Sequence, residues 1–279
     1  MKVLDLFSGI GGFSLGLERA GMETIAFCEI DESCRNILRK HWPEIIIYKD
    51  VKQINNDFIR SGVHKIFGTI DVICGGFPCQ DISIAGQKKG LKGERSGLWK
   101  EFKRIIKEVK PRYAIIENVA NLRSNGLTEV IKDLWSIGYG CEWHIISARS
   151  AGAPHLRERI WIIAYPDSSR LERLRISERV QEKHSSDNSS HDSTSNSYDF
   201  RFWKPFASEK EKSEWWAKAA LSVSHWKEAQ SIVRGVDDGL PRGMDKGRRE
   251  RIKQLGNSVV PQIPELIGRA IMEYEHAKE

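Results

Sequence analysis

Over the first 165 residues, short apolar runs alternate with longer amphipathic stretches. Lys2 to Phe7, Thr24 to Glu29, Ile45 to Tyr48, Ile70 to Cys74, Tyr113 to Glu117, Cys141 to Ser147 and Ile160 to Tyr165 read as strands. Their length and β-branched content favour buried strands. Phe13 to Ala20, Asp31 to His41, Leu98 to Val109 and Thr128 to Ile137 carry helical periodicity. Asp31 is placed as an N-cap, and Pro43 and Pro111 stop the helices that precede them. Strands alternating with helices predict an α/β fold with a mostly parallel sheet covered on both faces. From Val259 to Tyr274 the pattern predicts a strand, a turn and a helix, with Pro261 and Pro264 near the helix start.

The alternation stops after Pro166. Residues 183 to 199 are dominated by Ser, Asn, Asp and His, a composition that cannot offset the entropy of ordering, so a flexible loop is predicted there. Trp203, Trp215, Trp216 and Trp226 follow, and they read as core residues rather than as base-stacking ones. The chain has 279 residues, enough for one large domain or two smaller ones. Its 44 Lys and Arg against 38 Asp and Glu give a formal charge of +6, which suits a polyanionic partner without demanding one. No run approaches the ~20 apolar residues of a membrane span, and the first residues enter a strand directly, so neither export nor a membrane is expected. Five cysteines, with no Cys-x-x-Cys pair, predict a reduced, cytoplasmic setting without a metal site.

Three segments carry candidate chemistry. Asp5 to Gly12, DLFSGIGG, ends a strand in a Gly-rich turn and opens a helix. It is either a tight structural turn or a ligand loop at the carboxyl edge of the sheet. Glu29 ends the next strand, where a carboxylate can accept from both hydroxyls of a ribose. Gly75 to Gly86, GGFPCQDISIAG, presents Cys79 after Pro78, which stiffens the turn. In that polar context Cys79 reads as a nucleophile, whereas Cys28, Cys34, Cys74 and Cys141 read as small buried hydrophobes. Lys88, Lys89, Lys92 and Arg95 lie among glycines, as in a solvated loop or in a lid that touches phosphates.

Taken in order, these segments resemble the DNA cytosine-5 methyltransferase family, of the compact bacterial or phage type. DLFSGIGGFSLGL at Asp5 to Leu17 is similar to its cofactor motif, and Phe77-Pro78-Cys79-Gln80 to its nucleophile motif. Glu117-Asn118-Val119, Arg157-Glu158-Arg159 and QLGNSVVP at Gln254 to Pro261 resemble three further motifs. Where the family usually has Gln before the paired arginines, this chain has His155 and then Leu156.

The resemblance implies a Rossmann-like S-adenosylmethionine-dependent methyltransferase sheet, formed by 1–165 and 246–279. A smaller, irregular target-recognition domain would span 166–245. It implies methyl transfer from S-adenosyl-L-methionine to C5 of a flipped-out cytosine in double-stranded DNA, without a metal. Cys79, Glu117, Arg157 and Arg159 would be catalytic. Phe7, Ser8, Gly9, Gly11, Gly12, Glu29, Ile30, Asp50, Val51, Pro78, Leu98, Asn257, Ser258 and Val259 would hold the cofactor. Gln80, Ser83, Lys88, Lys89, Arg95 and Arg234 would meet DNA, with Asp237, Asp238 and Gly239 supporting the recognition domain. A monomer in the cytoplasm of a bacterial or phage-infected cell, with a separate cognate restriction endonuclease, fits the same picture. An NAD(P) oxidoreductase would use the same Gly-rich loop, but its fingerprint is incomplete and it gives Cys79, Glu117 and Arg159 no joint role. A relative acting on tRNA would share much of the same catalytic core. A catalytically dead DNA-binding protein would not need Cys79, Glu117 and Arg159 intact.

Overall fold

The computed structural model describes residues 1–55, 69–78, 97–153, 155–167 and 254–277. The serine-rich stretch at 183–199, the tryptophans after it and nearly all of 166–245 lie outside the described residues.

Among the described residues, seven strands form one sheet: β1 (Lys2–Leu6), β2 (Glu23–Cys28), β3 (Ile46–Tyr48), β4 (Val72–Gly76), β5 (Tyr113–Val119), β6 (Tyr139–Ser147) and β7 (Glu158–Pro166). Their order is β3-β2-β1-β4-β5-β7-β6. The pairs among β1 to β5 are parallel, and β7 is antiparallel to both its neighbours, so within this sheet β7 alone runs backwards. The mostly parallel α/β sheet expected from the alternation is therefore present, with one reversed strand inserted near an edge.

Helices flank it: α1 (Gly12–Arg19), α2 (Glu32–His41), α3 (Gly97–Val109), α4 (Leu127–Ser136) and α5 (Gln262–His276). Periodicity explains which faces are buried. In α3, Trp99, Phe102, Ile105 and Ile106 form an apolar stripe that joins Leu4, Leu6, Ile73, Ala114 and Ile116 in one core layer, together with Leu127, Val130 and Leu134 of α4. Strand alternation sends Val3, Val72, Cys74 and Ile115 to the opposite face, where Phe13 and Leu17 of α1 and Ile263, Ile267 and Ile271 of α5 cover them. α2 starts at Asp31, whose carboxylate accepts from the backbone N–H groups of Ser33 at 2.9 Å and Cys34 at 3.4 Å. Its last turn is basic, with Arg39, Lys40 and His41, which suits the negative end of the helix dipole.

The C-terminal segment departs from its expected form. Val259 and Val260 are not in a strand; the chain turns there and enters α5 at Gln262. Their side chains pack beside α1 instead of pairing with a strand. Close approach of backbone requires glycine in this contact. A Cβ on Gly16 would stand 2.2 Å from the Pro261 carbonyl oxygen and 2.9 Å from the Glu265 nitrogen. Because backbone atoms cannot yield cheaply, Gly16→Ala is expected to destabilise the fold by about 2–4 kcal/mol. Urea unfolding followed by circular dichroism measures this, and an unchanged midpoint would show that α1 and α5 separate without cost.

Candidate active site

β1 lies between β2 and β4, so the chain's crossovers diverge at β1 and β4, and their carboxyl ends mark the position where open α/β sheets take their ligands. The loop after β1 is held there in left-handed backbone: φ is +54° at Phe7, +54° at Gly9 and +86° at Gly11. Gly9 and Gly11 take this conformation freely, whereas at Phe7 it costs energy, as residues at ligand-binding positions often do. A Cβ on Gly12 would meet the Ser258 hydroxyl at 2.6 Å and the Val259 carbonyl at 2.8 Å, so the C-terminal segment closes directly over the start of α1.

Glu29, just past the end of β2, faces this loop. Its Oε2 accepts from the Gly9 N–H at 2.7 Å and its Oε1 from the Asp31 N–H at 2.8 Å. Each carboxylate oxygen keeps a second acceptor direction, which leaves room for two more donors. Beside it Ile30 is 77% exposed, an unusual position for isoleucine. Phe7 is half-buried against Phe102, and Leu98 packs at the first turn of α3. Asp50 caps the short turn at Val51–Gln53 through the Lys52 N–H at 2.9 Å, and Val51 is buried. Asn257 is exposed, while Ser258 and Val259 are half-buried.

Ser8 departs from its expected surroundings. It is buried, and its hydroxyl donates to the Asp5 carbonyl at 2.7 Å and accepts from the Cys28 N–H at 3.2 Å, extending the β1–β2 pairing. Beneath the loop Asp5 is fully buried. It accepts from the Ser14 hydroxyl at 2.7 Å, and burial pushes its carboxyl up to about 7.

A second cluster gathers where β4, β5 and β7 meet. Glu117 sits opposite Gly76 on one side and Trp161 on the other, and Arg159 stands opposite Val119. Two residues along a strand return to the same face, so Glu117 and Arg159 become diagonal neighbours. Glu117 Oε1 is 2.9 Å from Arg159 Nε, and the glutamate is 8% exposed. Burial pushes the Glu117 carboxyl up to about 7; the cations of Arg159 and Arg157 oppose this and do not cancel it. Arg157 donates to the Gly256 carbonyl, tying this cluster to the C-terminal segment, and its Nε has no partner among the described residues. His155 and Leu156 are exposed.

Asn118 lies within one of the motifs, yet nothing in its sequence context assigns it a role. Its Nδ2 donates to the Phe77 carbonyl at 3.1 Å, while its Oδ1 accepts from the Val119 N–H at 2.8 Å. It thereby fixes the chain immediately before half-buried Pro78. Cys79, Gln80, Ser83, Lys88, Lys89, Arg95 and Arg234 lie outside the described residues. Gly76 has no side chain because the Glu117 carboxylate occupies that space: a Cβ there would be 2.6 Å from Oε2. Gly76→Ala is expected to shift the carboxylate and lower kcat about 10–100-fold. Cofactor affinity should stay within about twofold; steady-state kinetics and calorimetry together test this. A kcat equal to the wild type's would mean that the carboxylate's position is immaterial.

The profile described as C-5 cytosine-specific DNA methylase matches residues 1–234. The chain belongs to this family. Among its relatives, the Type II methyltransferase M2.BsuMI of Bacillus subtilis (strain 168) is 35% identical over 172 residues, covering 59% of this chain and 42% of that protein. The Type II methyltransferase M.HhaI of Haemophilus parahaemolyticus is 32% identical over 183 residues, covering 63% of this chain and 52% of that protein. The matched part thus spans about half or less of the length of these relatives. A crystal structure described as a prophage-encoded DNA modification methyltransferase from E. coli aligns over 100% of both chains, with a TM-score of 0.60 and 21% identity, and shares the fold. Membership gives the two clusters a common context: a methylase-family sheet whose carboxyl edge carries Glu29 on one side and Glu117 with Arg159 on the other.

Proposed function

We propose that this chain methylates C5 of a cytosine flipped out of a specific double-stranded DNA sequence, using S-adenosyl-L-methionine and a covalent Cys79–C6 intermediate. The observation that carries the reading is the buried Glu117–Arg159 pair at 2.9 Å, one residue from the Asn118 that anchors the chain entering Pro78-Cys79.

The cofactor crevice fits an adenosyl group. The left-handed loop stands beside Glu29, Glu29 has spare acceptor capacity for two ribose hydroxyls, and exposed Ile30 with half-buried Phe7 offers apolar surface to a flat ring. Pro78, Leu98, Val51, Asp50 and the segment Asn257-Ser258-Val259 would complete its walls, with Gly9, Gly11 and Gly12 at the amino-acid end. S-Adenosylmethionine would supply an electrophilic methyl group on its sulfonium.

The protein's own groups must make C5 reactive. The Cys79 thiolate forms a bond to C6, and the C5–C6 π electrons become available at C5. Charge that would build at N3 and O2 is met by the two members of the pair. Glu117, held near half-protonation at neutral pH by burial, donates a proton toward N3; Arg159 donates to O2. Arg157 supports Arg159 and the C-terminal segment. When C5 has gained its substituent, its proton would pass to water as the Cys79–C6 bond breaks and regenerates the thiolate, and the N3 proton would return to Glu117. Base flipping is required because a stacked cytosine cannot reach Cys79 and the methyl donor together. Gln80, Ser83, Lys88, Lys89, Arg95 and Arg234 would contact DNA, the cationic residues neutralising phosphate and making binding salt-dependent.

This reading places the chain as a DNA-associated monomer in the cytoplasm of a bacterial or phage-infected cell, with residues 166–245 reading the target and an endonuclease acting separately. Among the described residues no helix is long and apolar enough to cross a membrane. Bisulfite sequencing of DNA from cells expressing the protein tests activity and target together: protected cytosines in one sequence context support it. Methylation of tRNA but not of duplex DNA in parallel assays would replace the substrate.

A further inference from the structure

Arg35, in the second turn of α2, is 5% exposed, although arginine is rarely buried without a matched acid inside. Its Nη1 donates to the Glu29 carbonyl at 2.8 Å and to the Ile30 carbonyl at 2.5 Å. Its Nη2 pairs with Glu32, whose side chain is 55% exposed, a pairing worth little by itself. A leucine would fill the same buried helical position at lower desolvation cost, so the fold alone does not call for a guanidinium there. What the guanidinium reaches is the three-residue turn, Glu29 to Asp31, between β2 and α2.

That turn carries Glu29 and Ile30. The Glu29 carboxylate is already braced on both oxygens by Gly9 and Asp31. The direction of its remaining acceptor sites therefore depends on the backbone of residues 29 to 31, which Arg35 holds from behind. The same frame extends outward, since the Gln254 side chain donates to the Ser33 hydroxyl at 2.7 Å, which donates to the Asp31 carboxylate at 2.6 Å.

We propose that Arg35 is a positioning residue for the cofactor: by holding the Glu29 and Ile30 carbonyls, it sets the Glu29 carboxylate for a ribose diol and Ile30 for the adjoining base. This rests on the cofactor reading above. Loss of the guanidinium leaves two inward carbonyls without their donor, and the turn relaxes. Lysine cannot replace it fully, because one ammonium lacks the planar fork.

The test uses the full chain, with S-adenosylhomocysteine and its analogue lacking both ribose hydroxyls as calorimetric probes. In the wild type, removing the hydroxyls is expected to weaken binding about 30-fold, the effect of two charge-assisted hydrogen bonds. Arg35→Met is expected to bind S-adenosylhomocysteine about tenfold more weakly and to lose less than about threefold on hydroxyl removal. The cofactor KM should rise by more than kcat falls, and Arg35→Lys should lie between the two. A folded Arg35→Met protein that retains the full hydroxyl penalty overturns the proposal and leaves the cofactor reading intact. If Arg35→Met does not fold, Arg35→Lys decides by the same penalty. A wild type that binds neither probe overturns the cofactor reading itself, and this proposal with it.

Discussion

Cys79→Ala is expected to reduce methyl transfer below detection, a loss of at least about 10⁴-fold, while duplex DNA and cofactor still bind. The aromatic cytosine ring gives C5 little nucleophilicity, and only addition at C6 releases its electrons. Three of the other thiols cannot substitute. Cys28 and Cys141 are pushed up to about 12 and Cys74 well above the ordinary thiol value, in each case chiefly by burial, so they stay neutral. Transfer of tritium from labelled S-adenosylmethionine to DNA measures the loss, and a gel-shift assay measures binding. A duplex with 5-fluorocytosine at the target should trap the wild type covalently, because the C5 substituent cannot leave as a proton. The alanine variant should form no adduct. Turnover by that variant at the wild-type rate would refute the nucleophile assignment.

Glu117→Gln is expected to lower kcat about 10²–10³-fold and to remove one limb of the pH profile. With its carboxyl at about 7, Glu117 is half-protonated near neutrality. Above that pH the protonated fraction falls tenfold per unit, so the wild-type rate should fall with it once the Cys79 thiolate is fully formed. Glutamine donates a hydrogen bond and cannot deliver a proton, so the fall that belongs to Glu117 should vanish.

Stability should follow the same titration. The folded value lies above the ordinary glutamate value of about 4.3, so this group's contribution is complete below about pH 4.3 and is lost as pH rises to about 7. Comparing wild type and variant at two pH values isolates the term, because glutamine does not titrate and the attraction of Arg159 is already contained in the folded value of Glu117. The variant's melting temperature relative to the wild type should be higher at pH 8 than at pH 5. An equal difference at both would show that Glu117 is ionised throughout.

The elements were largely legible in the sequence because local rules decided them. Asp31 was readable as an N-cap, and the stripe Trp99, Phe102, Ile105, Ile106 as a buried helix face. The reversal of β7 was not read, although a signal existed. Only ten residues separate Ser147 from Glu158, too few for the helical crossover that a parallel partner needs. Its insertion between β5 and β6 depends on side-chain fit across the sheet, which no local pattern records. At the site, residue types and their order pointed to Glu29, Glu117 and Arg159, but not to the burial that raises Glu117. Arg35 reads in sequence as one more cation on a polar helix. Its inward direction comes from the way α2 lies against the end of β2. Val259 and Val260 looked like a strand by their branching, yet the glycines of α1 let them pack as a turn.

The backward course of β7 sets its two ends at opposite edges of the sheet. At nine residues and about 3.3 Å each, the strand carries the chain ~30 Å away from Arg159, to where Asp167 bonds the Gly138 carbonyl. Gln254 stands back at the other edge, its side chain on the Ser33 hydroxyl at the start of α2. Asp167 and Gln254 thus stand at opposite rims of the sheet, one at its foot and one at its top. Any segment that joins Asp167 to Gln254 must therefore climb the full height of the sheet.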